Sequence, residues 1–309
     1  MGKATREAYG EELAKLIVEN EKIVVLDADL TKSTKTADAQ KACPERHFNM
    51  GIAEANMMSA AAGFATSGYT VFASTFAMFA TGRAWEQVRN SIAYPHLNVK
   101  VCGTHAGIAV GEDGVSHQAI EDIGVMRVIP GMEVYSPCDA AETKAVIKYV
   151  STTKNPCYVR LGRAAVDDVY NEDEVFDFSK IKVVRKGEKV AIFATGLMVQ
   201  QSLKAAKALE EEEINITVVD VCSIKPLDEE GVLEILKTHD HIITAEEHNI
   251  INGLGSAISD VSVKSCPKII TKIGIKDRFA ESGPFEELLV KYNLDDQEII
   301  RVVKEILKA

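Results

Sequence analysis

The sequence predicts an α/β chain of two doubly wound domains with mainly parallel sheets, and three observations predict it. Short β-branched apolar runs alternate with Ala- and Glu-rich stretches of helical period. Strands that are continuously apolar belong to parallel sheets covered by helices on both faces. The alternation breaks once, over an acidic stretch at 166–187, and then restarts. A chain of 309 residues is also longer than one core usually organises.

Taken in order, a helix is expected over 7–18, a strand over 23–26 and a helix over 53–66. A strand over 69–72, a helix over 79–93 and strands over 99–102 and 132–135 follow, then a helix over 140–150 and a strand over 157–160. Asp167, Asp168 and the run Glu172, Asp173, Glu174 make 166–187 a linker poor in core residues. Beyond it come strands at 190–193, 216–219, 242–244 and 268–271. Helices are expected at about 199–212, near 228–238, after Asn252 and from about Asp296. The domains are therefore 1–165 and 188–309.

Composition narrows the function classes. Lys and Arg number 35 against 46 Asp and Glu, a net charge of −11. Broad electrostatic attraction to nucleic acid or to an anionic membrane is thereby excluded, and an anionic substrate must be gathered by a few local basic residues. No apolar run approaches the roughly 20 residues that span a bilayer. The first residues lack an apolar secretory core, so a cytoplasmic location is expected. The six cysteines show no CxxC pair and no metal-ligand spacing, and they are read as reduced thiols with no metal site.

In open α/β sheets ligands bind beyond the carboxyl ends of strands, so polar residues just after strands are weighed first. Asp29 and Ser33 follow the first strand and either contact a ligand or cap the next helix. Glu54 heads a helix that is apolar nearly all round, which places a carboxyl in a low dielectric. It is either stabilised by the helix N-terminus or shares a proton with a ligand heteroatom. Phe76 and Phe79 are core aromatics or a platform for a flat ligand. His105, Asp113 and His117 lie in a glycine-rich loop after a strand, an arrangement that suits hydroxyl groups better than a metal. Arg163, just past a strand end, suits a substrate phosphate.

Three segments, Met50 to Glu54, Ser74 to Phe76 and above all the long run Thr104 to His117, resemble the C-terminal half of transketolase over essentially the whole chain. The resemblance implies a pyrimidine-binding domain, then the family's C-terminal domain, and chemistry that depends on thiamine diphosphate. It casts Glu54 as the glutamate that hydrogen-bonds the cofactor's aminopyrimidine and favours its imino tautomer. Phe79 is the stacking aromatic, with Phe76 as second candidate, because the helix after Thr75 is one residue longer than in full-length relatives. Asp29 matches an aspartate on the thiazolium side. His105, His117 and Asp113 match residues around the sugar donor, and Arg6, Ser33 and Arg163 match residues that grip its phosphate.

The family's diphosphate site, magnesium held by a Gly-Asp-Gly motif with a downstream Asn, has no counterpart here. The resemblance therefore implies a separate N-terminal subunit that binds the pyrophosphate and Mg2+, in a two-plus-two heterotetramer. The implied reaction transfers a two-carbon ketol unit from a ketose phosphate to an aldose phosphate. The alternatives are a 1-deoxyxylulose-5-phosphate-synthase-like enzyme, which usually has Asp-Arg where this chain has Thr104-His105, and a non-catalytic partner subunit.

Overall fold

The computed structural model describes residues 2–308. The strands in chain order are β1 (Ile23–Asp27), β2 (His47–Asn49), β3 (Thr70–Phe76), β4 (Val99–Thr104), β5 (Glu133–Tyr135), β6 (Cys157–Arg160), β7 (Lys182–Arg185), β8 (Val190–Ala194), β9 (Thr217–Asp220), β10 (Ser223–Lys225), β11 (His241–Asn249) and β12 (Ile270–Ile275). They form a seven-stranded sheet, β10-β5-β6-β4-β3-β1-β2, and a five-stranded sheet, β12-β11-β8-β9-β7. Every pairing is parallel except β10 with β5 and β7 with β9. Each sheet is buried on both faces, by two apolar clusters per sheet. This burial explains the continuous apolar strands.

Two features were not legible in the alternation. The stretch expected to be a linker carries β7, whose pairing with β9 makes it an edge of the second sheet. Strand β10 leaves the second domain to close the edge of the first sheet against β5, with Ser223 opposite Tyr135. The two domains are thus sewn together by backbone hydrogen bonds as well as by side chains.

The order β4-β3-β1-β2 reverses direction at β1, so the chain leaves β1 and β3 on opposite sides and opens a crevice at their carboxyl ends. The registers Asp27 with Ser74 and Phe76 with Thr104 set the ends of β1, β3 and β4 side by side. The helix Glu54–Thr66 begins at the same edge. It buries Met57, Met58, Ala61 and Ala62 against the sheet. Its other face, with Asn56, Ser59 and Gly63, is exposed in this chain, which corrects the expectation of a helix buried all round.

The expected helix over 79–93 is a broken one. Phe79–Arg83 and Val88–Ala93 are π-helical turns on either side of Trp85–Gln87. A π-turn closes i→i+5, as Ala84 N–H does on the Phe79 carbonyl at 3.2 Å. It absorbs one surplus residue locally without shifting the rest of the helix.

Candidate active site

Glu54 is the first residue of its helix and is 1% exposed. Nη1 of Arg83 donates to both of its oxygens, at 2.8 and 2.9 Å. The Arg83 side chain is itself 51% exposed, and its guanidinium carbon lies 4.5 Å from the centre of the Phe79 ring. A buried carboxylate is thus covered by a half-exposed cation. Arg83 was not read as its partner, because nothing in a 29-residue separation signals the contact.

Phe76, at the end of β3, is buried and stacks on the His105 ring with centroids 3.9 Å apart. Phe79 is half-buried, stacks on Phe76 at 5.7 Å and meets His117 edge-on at 5.3 Å. Of the two phenylalanines, Phe79 is the one whose ring carries a group that also binds Glu54.

His105 is buried and holds a left-handed backbone, φ +58, an uncommon conformation for a residue with a Cβ. Arg6 Nη1 lies 3.1 Å from its Nε2, and Thr104 Oγ1 lies 3.0 Å from its Nδ1. A guanidinium can only donate, so Nε2 accepts and the proton resides on Nδ1. Burial, and then the charges of Arg6, Arg163 and His117, pull the His105 pKa down to about 3. The ring is therefore neutral, with Nε2 an acceptor that Arg6 engages.

Arg6 also donates to the Ser33 carbonyl at 2.9 Å, while its Nε is buried with no partner among the described residues. Arg163 reaches the Val110 carbonyl and lies 3.1 Å from Glu112 Oε2. The two guanidinium groups are close enough for Arg163 to lower the pKa of Arg6, although burial acts more strongly. Arg6, His105, His117 and Arg163 therefore lie near one another, with the Ser33 carbonyl held by Arg6, so that four segments meet in one basic region. Asp113 is exposed at the end of the 3₁₀ turn Ile108–Asp113, and Ser116 Oγ sits 2.9 Å from His117 Nδ1.

Asp29 is exposed and tied to Asn49, whose side-chain amide donates to it at 3.1 Å. The capping role falls instead to Asp27, fully buried at the end of β1. It accepts from Leu30 N–H and from the hydroxyls of Thr31, Thr34 and Thr36. Neither Asp29 nor Ser33 caps the helix Thr31–Thr34 through its side chain.

A second acidic group lies at the domain boundary. Cys138, Glu142 and Asp220 place one ligand atom each within 4.8 Å of one another, and all three are buried. Tyr170 Oη donates to Asp220 Oδ2 at 2.7 Å, and the Cys138 N–H donates to Glu142 Oε2 at 2.7 Å. Burial raises both carboxyls, Glu142 well above its usual range and Asp220 to about 6. The six cysteines are all free thiols. No helix among the described residues is long and apolar enough to cross a membrane.

Comparison with known proteins gives consistent matches. A family model of the transketolase pyrimidine binding domain matches residues 1–168, and one of the transketolase C-terminal domain matches residues 179–299. A Methanocaldococcus jannaschii protein named as a transketolase C-terminal section is 48% identical over 99% of this chain and 97% of its own length. The 6-deoxy-6-sulfo-D-fructose transketolase subunit of Clostridium sp. strain MSTE9 is 36% identical over 97% of this chain and 94% of its own length. The solved structure of a split-gene transketolase, an inactive β4 tetramer, is 49% identical. It superposes with a TM-score of 0.90, covering 100% of this chain and 99% of that one.

Proposed function

The chain belongs to the transketolase family, and we propose that it is the C-terminal subunit of a split, thiamine-diphosphate-dependent transketolase that moves a two-carbon ketol unit from a ketose phosphate to an aldose phosphate. The observation that carries this is the Glu54–Arg83–Phe79 stack. A planar, nitrogen-bearing cation lies on an aromatic ring and donates to a buried carboxylate. An aminopyrimidine asks the same of a site: a ring to stack on and a carboxylate to accept a hydrogen bond. Thr75 Oγ1, at the end of β3, is buried with no partner among the described residues, a further polar atom left for a ligand at this edge. The residues present fit the cofactor's pyrimidine end.

Thiamine diphosphate, when bound, supplies the nucleophilic carbon that carries the two-carbon unit between sugars. In this proposal Glu54 Oε accepts a hydrogen bond from the pyrimidine ring and so settles where that ring holds its protons. Phe79 is the stacking face, with Phe76 bracing it and His105, and Asp29 faces the thiazolium side. His105 Nε2, neutral and released by Arg6, accepts from a donor hydroxyl, and His117 and Asp113 bind further oxygens of the sugar. Arg6 and Arg163, with Ser33 beside them, grip the terminal anion. A sulfonated sugar, as in the name of the Clostridium relative, presents a comparable anion, so the basic region suits a class of ketoses with a charged tail.

The diphosphate and Mg2+ fall to a separate N-terminal subunit, because this chain shows no motif for them. A two-plus-two heterotetramer in the cytoplasm is the assembly we propose. Support for self-association comes from the relative solved as an inactive β4 tetramer. The experiment is replacement of Glu54 in the assembled enzyme. Glu54→Ala is expected to lower ketol transfer by roughly 10²–10⁴-fold, the usual worth of a positioned acid–base group. Near-normal turnover would overturn the assignment.

A further inference from the structure

The C-terminal domain reaches the 107–117 loop with a buried charged residue among its contacts. Glu247, in β11, is 4% exposed, and its Oε1 accepts from the Ala109 N–H at 2.6 Å. Its Oε2 lies 4.0 Å from Arg160 Nη1, and Arg160 Nη2 donates to the Glu247 carbonyl at 2.8 Å. Arg160 is in turn fixed by Asp122, Nε to Oδ2 at 2.8 Å. Gly107 has φ +78, and a Cβ there would fall 2.2 Å from the Glu247 carboxyl carbon. Glycine at 107 therefore leaves room for a carboxylate to pass beneath the loop.

The neighbouring acid has an ordinary structural use. Glu246 accepts from Leu254 N–H and Gly255 N–H at 2.7 and 2.8 Å, capping the helix Leu254–Ser265. Glu247 caps nothing in its own domain. Burial pushes its carboxyl up to about 7 against the pull of Arg160, so its placement is costly. Either protonation state keeps an oxygen free to accept from Ala109. A further contact anchors the end of the same loop, where Gln118 Nε2 donates to the Glu281 carbonyl at 3.0 Å, and Gly114 passes so near Ser282 that a Cβ there would fall 2.2 Å from its Oγ.

We infer that Glu247 is a positioning residue through which the C-terminal domain holds the 107–117 loop, and with it Asp113 and His117, against the crevice where His105 lies. The inference rests on the proposed assignment of Asp113 and His117 to the sugar. It gives the second domain a part in substrate recognition.

Two measurements test it. In the full chain alone, Glu247→Ala is expected to speed amide hydrogen exchange across 106–118 about tenfold, as loss of a charge-assisted hydrogen bond predicts, while 254–265 is unchanged. In the assembled enzyme the same variant should raise the KM for the ketose phosphate about tenfold and leave half-saturating thiamine diphosphate within about twofold. Glu247→Gln, which keeps the acceptor, should restore both readouts. Glu247→Leu keeps the volume and stands in if the alanine variant does not fold. Unchanged exchange, or an equal loss of affinity for sugar and cofactor, overturns the inference. Should the parent assembly transfer no ketol units, the proposed function fails, and the exchange result alone decides whether Glu247 holds the loop.

Discussion

Arg83 lies on the Phe79 ring, 4.5 Å from its centre, while one of its nitrogens donates to both oxygens of buried Glu54. In this chain the arginine supplies the stacked cation and the hydrogen bonds that the carboxylate needs. Removing it leaves a buried carboxylate without that donor, which costs about 1–3 kcal/mol. The half-exposed guanidinium places the effect at the low end of that range. Arg83→Ala is therefore expected to lower the unfolding free energy of the isolated chain by roughly 1 kcal/mol in urea titration. Adding Glu54→Gln should recover most of the loss. Equal stability of parent and Arg83→Ala would show that the pair is idle.

His105 is expected to stay neutral, with its proton on Nδ1, throughout the working pH range. Its pKa is pulled to about 3 first by burial and then by Arg6 and Arg163. Nitrogen NMR of the imidazole should show no protonation between pH 8 and about pH 5. Arg6→Met should move the midpoint upward. A midpoint near 6.5 in the parent would remove the case for a neutral acceptor.

The buried carboxyls at the domain boundary make stability depend on pH with a definite sign. Asp220 has a folded pKa of about 6, raised by burial above its usual value, and Glu142 is raised further. A raised carboxyl pKa means that the folded state binds protons more tightly than the unfolded one. The stabilising contribution is then full below about pH 4 and fades as pH rises through about 6. Asp220→Asn, which cannot ionise, should flatten the fall in Tm between pH 4 and pH 7 relative to the parent. A variant whose Tm tracks the parent at every pH would contradict the shift.

Arg163 is half-exposed, and its guanidinium contacts Glu112 and the Val110 carbonyl. Arg163→Ala should raise the KM for a phosphorylated donor by about 10-fold or more, the worth of a charge-assisted pair, and leave a non-phosphorylated donor unaffected. Equal losses for the two donors would assign Arg163 to holding the loop.

What the sequence disclosed and what it hid follow from the range of each interaction. Glu54 was legible because a carboxylate at the head of an apolar helix is a local pattern, and it is indeed 1% exposed. His105 and His117 were legible because glycines and polar residues crowd one loop after β4. Arg83 and Glu247 were not, since each acts across a separation that no periodicity records: 29 residues to Glu54 and 138 to Ala109. Strand β10 was hidden for the same reason, because its partner β5 lies in the other domain. The π-turns on either side of Trp85–Gln87 were hidden too, because the apolar pattern of 79–93 does not distinguish them from a regular helix.

The central claim is that this chain carries half of a divided active site. The most direct measurement is ketol transfer from a ketose phosphate to an aldose phosphate, with thiamine diphosphate and Mg2+, as purified N-terminal subunit is titrated into this chain. The account predicts no transfer by this chain alone and activity that rises to saturation at one subunit per chain. Transfer by the chain alone, or none at any ratio, would contradict it.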